Sequence, residues 1–260
     1  MRAFVVDAFT DVAFRGNPAG VVFLDGVRGD AWMQSLAAEL RHSETAFVTP
    51  RADGDHDLRW FTPAAEVDLC GHATLATAHA LAADGTAGPY AFHTRSGVLR
   101  AEVSGGVVTL DFPAATLAPT DPAGAAAALG VAVLAAFVTS TDDLLCVLAG
   151  ERDVAGLRPD IAAIAALGGR GVITTARADP GTGRDVVSRF FAPNVEVDED
   201  PVTGSAHCAL TPYWTGRLGR PALVADQLSP RGGRLHVELR DERVTLAGRA
   251  VTVLAGELLV

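Results

Sequence analysis

Arg59-Trp60-Phe61-Thr62-Pro63-Ala64-Ala65-Glu66-Val67-Asp68 and Arg189-Phe190-Phe191-Ala192-Pro193-Asn194-Val195-Glu196-Val197-Asp198 lie 130 residues apart in a chain of 260. Aligned without gaps, six of the ten positions are identical. Charged and proline positions agree as well as apolar ones, so the likeness is more than a shared strand pattern. Cys70-Gly71-His72-Ala73-Thr74 follows the first copy, and Asp200-Pro201-Val202-Thr203-Gly204-Ser205-Ala206 follows the second. Each copy reads as strand, proline-bearing turn, acidic loop, glycine corner and helix, with Thr74 and Thr203 or Ser205 as helix caps. A repeat of this length signals duplicated structure. It predicts two halves, 1–114 and 118–260, joined by the proline-bearing stretch 114–122.

Outside the repeat, alternating runs predict strands at 2–8, 19–24, 43–49, 97–103 and 106–112, then at 133–139, 170–175, 235–240, 243–247 and 250–254. Helices are expected at 29–40, 73–84, 122–129, 159–166 and 204–217. Many strands with one central helix per half suggest sheets curled around helices, an α/β (α+β) fold. The repeat does not tell whether the strand near 250–255 stays in its own half or crosses to the first.

Composition removes several functions. The chain has no lysine, so it has neither a Schiff-base lysine for pyridoxal phosphate nor a Walker A lysine. A formal charge of −10 argues against non-specific nucleic-acid binding. No apolar run approaches the roughly 18–20 residues of a membrane span. The N-terminus reads as a strand rather than a signal peptide, so the cytoplasm is the expected location. Cys70, Cys146 and Cys208 are odd in number and lack CxxC spacing. A disulfide framework or zinc knuckle is not expected, and no spacing announces a metal site. Gly-x-Ser-x-Gly is absent, which leaves a hydrolase triad without support.

The two glycine corners are the candidate site. A helix N-terminus presents unpaired N–H groups and the positive end of the dipole, suited to a carboxylate or a developing oxyanion. Gly71 and Gly204 let a ligand approach the backbone. His72 and Asp200 add titratable groups, as proton transfer beside a carbonyl or carboxylate requires. Each has a plainer reading: His72 as a packing histidine, Asp200 as one acid in a loop, Ser205 as a cap. Glu44, at the start of a strand, reads on chemistry alone as a solvated edge residue. His79 and His207 read as packing residues inside helices, and Cys146 as core.

These residues fall in an ordered set: Asp7-Ala8-Phe9-Thr10, Gly16-Asn17-Pro18-Ala19-Gly20, Ser43-Glu44-Thr45-Ala46-Phe47, Cys70-Gly71-His72-Ala73-Thr74 and Glu199-Asp200-Pro201-Val202-Thr203-Gly204-Ser205-Ala206. The set spans about 200 residues and resembles the phenazine-biosynthesis PhzF-like family, relatives of diaminopimelate epimerase. The resemblance implies two pseudo-symmetric halves, each a curved, barrel-like sheet around a central helix. It also implies a homodimer, no cofactor, and a small carboxylated substrate held in the cleft between the halves. The family glutamate that shuttles the proton falls on Glu44. His72 and Asp200 fall on its other catalytic positions, and Asn17, Gly71, Gly204 and Ser205 on substrate-binding ones. The family's type enzyme isomerises trans-2,3-dihydro-3-hydroxyanthranilate by moving a proton along one face of the ring.

Two-thiol epimerases of the wider group carry a cysteine at each corner. Here Cys70 occupies the first, Asp200 is read at the second, and Cys208 falls inside the helix. An amino-acid epimerase or racemase using Glu44 with Asp200 or Cys70 is the alternative activity, and a non-catalytic small-molecule binder is a third reading. The stretch 226–234 only loosely follows the family pattern, which leaves its substrate contacts open.

Overall fold

A computed structural model describes residues 1–260. The chain divides into two compact units, Met1–Asp111 with Ala247–Val260, and Phe112–Leu246.

In the first unit, β1 (Arg2–Ala8) lies between β18 (Ala250–Glu257) and β2 (Asn17–Phe23), antiparallel to both. Next come β3 (Glu44–Pro50), parallel to β2, and β4 (His56–Phe61), antiparallel to β3. β6 (Tyr90–Thr94) runs parallel to β4, β7 (Gly97–Ser104) antiparallel to β6, and β8 (Val107–Pro113) antiparallel to β7. A short strand, β5 (Glu66–Val67), pairs with β4. β7 and β8 form the expected glycine hairpin: Gly105 and Gly106 both have positive φ, as a two-residue turn of matching twist requires.

The second unit repeats the plan. β10 (Ala135–Thr139) lies between β9 (Leu117–Thr120) and β11 (Asp143–Val147), antiparallel to both. β12 (Gly171–Arg177) is parallel to β11 and β13 (Val186–Ala192) antiparallel to β12. β15 (Ala222–Gln227) is parallel to β13 and β16 (Gly233–Arg240) antiparallel to β15. β14 (Val197–Asp200) pairs with β13 as β5 pairs with β4. β17 (Arg243–Gly248) precedes β18. In this order β9 stands to β10 as β18 stands to β1. The last strand therefore completes the first unit.

Each unit wraps its sheet around one helix. α2 (Gly71–Ala83) touches β1, β2, β3, β7 and β18, and nine of its thirteen residues are buried. α6 (Gly204–Leu218), packed on β15 and β16, buries ten of fifteen. Neither has a charged face along its buried length, as an enclosed helix requires, and both are rich in Ala, Gly and Thr, which lets a curved sheet close round them. The other faces carry α1 (Asp30–Leu40) in the first unit and α3 (Ala123–Leu129), α4 (Glu151–Gly156) and α5 (Ile161–Ala166) in the second. β3 is thus covered on both sides, and its residues Thr45–Val48 are all buried. No helix is long and apolar enough to cross a membrane.

Three local expectations change. The cap of α2 is Cys70, not Thr74. Thr74 lies inside the helix and donates its hydroxyl back to the Cys70 carbonyl at 2.6 Å. β3 is interior, so Glu44 is not an edge-strand residue. α4, β6, β9 and β15 are additional, each only four to six residues long.

Candidate active site

Alternation along β3 decides where Glu44 points. Phe47 packs against Trp32 of α1 and Phe61, on the outer side. With a side-chain period of two, Glu44 and Ala46 face the opposite side, toward α2. The Glu44 carboxylate, one-fifth exposed, meets the first turn of that helix: its Oε2 lies 3.2 Å from His72 Nε2. Ser43 Oγ also lies 3.2 Å from His72 Nε2 and donates to Oδ1 of buried Asn17 at 3.2 Å. With its one proton directed to Asn17, Ser43 accepts from His72. Both groups facing Nε2 are then acceptors, which assigns the ring proton to Nε2. Nδ1 is left to accept from the Cys70 thiol, 3.5 Å away. Ser43 thus donates to Asn17, and the His72 Nε2–H is shared between Ser43 Oγ and the Glu44 carboxylate.

Asn17, Glu44, Gly71 and His72 are thus brought together, with Cys70, which sequence reasoning raised only for the alternative epimerase reading, and Ser43, which it did not select. Glu44, Cys70 and His72 each offer a donor atom, all within 4.8 Å of one another, so this trio could hold a metal ion. Spacing along the chain does not show this group, because its members come from β3 and from the α2 corner and only the fold joins them. Asp53, Asp55 and His93 form a second such group, more exposed, with His93 Nε2 2.8 Å from Asp55 Oδ2.

The second unit shows how far the duplication extends. Arg59 forms a two-pronged ion pair with Glu66, and Arg189 forms the same pair with Glu199, not Glu196. The 3₁₀ turn Pro193–Val195 inserts three residues here, and Glu196 only ends it in a left-handed conformation. The ungapped alignment therefore slips. Past the turn, Cys70 matches Thr203, Gly71 matches Gly204, and His72 matches Ser205, since these are the cap and first two residues of each helix. Asp200 is not the counterpart of Cys70. On β12, Val172 faces Phe191 as Thr45 faces Phe61 on β3. Gly171 therefore stands where the first unit has Glu44, and Arg170 where it has Ser43. The contact is preserved with new residues: Arg170 Nη2 donates to Ser205 Oγ at 2.9 Å and also grips Asp143. A Cβ on Gly171 would come within 2.6 Å of the Phe191 carbonyl oxygen, so no side chain fits there without backbone movement. The carboxylate–histidine pair is present in one copy only.

Asp200 ends β14, at the corner that leads into α6. Its carboxylate accepts from the Thr203 hydroxyl, and Gln227 bridges the same corner. Ser229 Oγ donates to the Pro201 carbonyl at 2.7 Å. The 226–234 stretch thus supports the Asp200 corner. Gln227 was findable in principle as a polar residue on a predominantly apolar strand.

His207, one turn into α6, is wholly buried. Its Nδ1 meets the Thr203 carbonyl at 2.8 Å, and its Nε2 has no hydrogen-bond partner. Burial lowers its pKa from 6.5 to about 4, so the folded chain holds it neutral. Between those values the unfolded state binds the extra proton. The group contributes stability above pH 6.5 that is lost as pH falls toward 4, about 3 kcal/mol in all. Chemical unfolding across that range should show a flatter pH slope in His207→Asn than in the parent protein. Parallel slopes would mean that the histidine does not titrate in this way.

Comparison with known proteins places this duplicated fold among the epimerase-like proteins. A probable proline racemase of Agrobacterium radiobacter superposes with a TM-score of 0.68 over all of this chain and 93% of its own, at 13% identity, a likeness of fold alone. Within that class the chain belongs to the phenazine biosynthesis-like (PhzF) family, whose model matches residues 6–256. An uncharacterized isomerase of Pseudomonas aeruginosa is 49% identical over 99% of this chain and 98% of its own length. A PhzF-family structure from Enterococcus faecalis is 41% identical, with a TM-score of 0.94 over 100% of this chain and 99% of that one.

Proposed function

We propose that the chain is a cofactor-free isomerase that moves a proton on a small carboxylate-bearing substrate, with Glu44 as the group that carries it. The observation that bears the reading is the single Glu44–His72 pair, whose counterpart in the second unit is Gly171 and Ser205. One carboxylate without an opposed twin suits removal and return of a proton on the same face. A two-base racemase needs an acid/base group on each face.

In the proposed step Glu44 enters as the carboxylate, held by the His72 Nε2–H. The substrate C–H bond breaks, its proton moves to Glu44, and its electrons pass into the conjugated substrate. Glu44 then returns the proton to a second carbon, so the enzyme ends unchanged. Cys70 makes no side-chain cap bond to α2. The first-turn N–H groups, with the helix dipole, suit a substrate carboxylate. Asn17 and Ser43 fix the His72 ring. Asp200 as a further titratable group, Gly71, Gly204 and Ser205 as substrate contacts, and a homodimeric assembly belong to the same proposal, supported by the family resemblance.

Incubation with trans-2,3-dihydro-3-hydroxyanthranilate in D₂O, followed by NMR, tests the reading. The panel then extends to amino-acid-like carboxylates. Deuterium delivered to one face is the expected result, and inversion with deuterium from both sides would replace it with an epimerase. Tight binding of these carboxylates without any exchange would overturn catalysis and favour a binding protein.

A further inference from the structure

Gln227, at the end of β15, is 1% exposed, and its amide is fully engaged. Nε2 donates to the Asp200 carbonyl at 2.7 Å and to Thr203 Oγ1 at 3.1 Å, while Oε1 accepts from the Thr203 N–H at 2.9 Å. The Thr203 hydroxyl has a single proton. Because Gln227 Nε2 approaches the oxygen as a donor, that proton is directed to Asp200 Oδ2, where the bond is seen. His207 Nδ1 holds the Thr203 carbonyl from the other side. Gln227 itself is anchored by strand pairing to Ser188 and Gly233.

We propose that Gln227 is a positioning residue for Asp200: acting through Thr203, it orients the carboxylate and keeps it an acceptor. The inference rests on the role assigned to Asp200 above, but its geometry does not depend on the substrate. The charged groups beside Asp200 and on the elements packed around it have settled partners. Glu199 is held by Arg189, Asp226 by Arg184 and Arg234, and His207 is buried on α6. The amide polarity is therefore the variable that a substitution changes.

Gln227→Glu keeps the shape and reverses that polarity, since a carboxylate oxygen accepts from Thr203 and turns the proton away from Asp200. Gln227→Met keeps the length and removes the hydrogen bonds without adding charge. Titration of the Asp200 carboxyl by ¹³C NMR, assigned with Asp200→Asn, reads the effect directly. The midpoint should rise by about one unit or more in Gln227→Glu and by less, in the same direction, in Gln227→Met. Thr203→Ser, which retains the hydroxyl, should leave it in place. A rise confined to Gln227→Glu would reflect charge repulsion and overturn the proposal, as would an unmoved midpoint in both folded variants. Should Gln227→Glu not fold, Gln227→Met alone decides. With a turned-over substrate, kcat should fall about 10²-fold in Gln227→Glu, a misplacement effect, with KM little changed. The NMR arm needs no turnover, so failure of the isomerase reading is distinguishable from failure of this one.

Discussion

Glu44→Gln is expected to lower turnover about 10³-fold while leaving the fold and thermal transition unchanged. A positioned acid/base group contributes roughly 10²–10⁴ in rate. Glutamine preserves the shape of the site, and its Oε1 still accepts from His72 Nε2, but it has no proton to take or return. Glu44→Asp retains the chemistry and withdraws the carboxylate by one methylene, a displacement that costs about 10²-fold. The order parent, Asp, Gln, measured as deuterium incorporation under saturating substrate with circular dichroism as the fold control, identifies the proton carrier. Equal activity in Glu44→Gln would move the base elsewhere, with Cys70 and Asp200 the next residues to replace.

The second large effect concerns stability. Arg189→Ala should destabilise the chain by about 3–5 kcal/mol, the range for removing one partner of a buried ion pair. Its guanidinium, 8% exposed, holds Glu199 with two prongs and donates to the Leu157 carbonyl at 2.9 Å. It also lies over the Phe191 ring at 4.9 Å. Its repeat mate Arg59 is 30% exposed, and Glu66 would keep Arg95 at 2.9 Å. Arg59→Ala should therefore cost only about 1 kcal/mol. Urea unfolding of the two variants gives the comparison, and equal losses would show that burial does not separate the two copies.

The fold was legible wherever the pattern was local and long. The ten-residue repeat revealed the duplication, and the buried helices α2 and α6 announced themselves as apolar runs behind glycine corners. The register of the second copy was not legible, because the 3₁₀ turn Pro193–Val195 adds three residues that a gapless alignment cannot see. That turn is also why Asp200 was matched to Cys70. Of the site, His72 and Asp200 could be singled out by their corner positions. Glu44 could not, since nothing in its own neighbourhood shows that β3 is interior and that α2 passes beneath it; the family resemblance supplied it. Ser43, Gln227 and the Arg170–Asp143 pair act through contacts between residues 24 to 29 positions apart, beyond the reach of any short motif.

The pairing of β18 with β1 bears on how the protein is made. The second unit is one uninterrupted stretch of chain, 112–246. The first unit must wait for residues 250–257 before β1 gains its last neighbour. At about 5–20 residues per second on the ribosome, that is a delay of roughly 10–30 s. During that interval β1 offers an open edge and the Glu44 corner belongs to an unfinished sheet, the sort of surface that chaperones recognise and that other nascent chains can join. The half synthesised first is the half completed last.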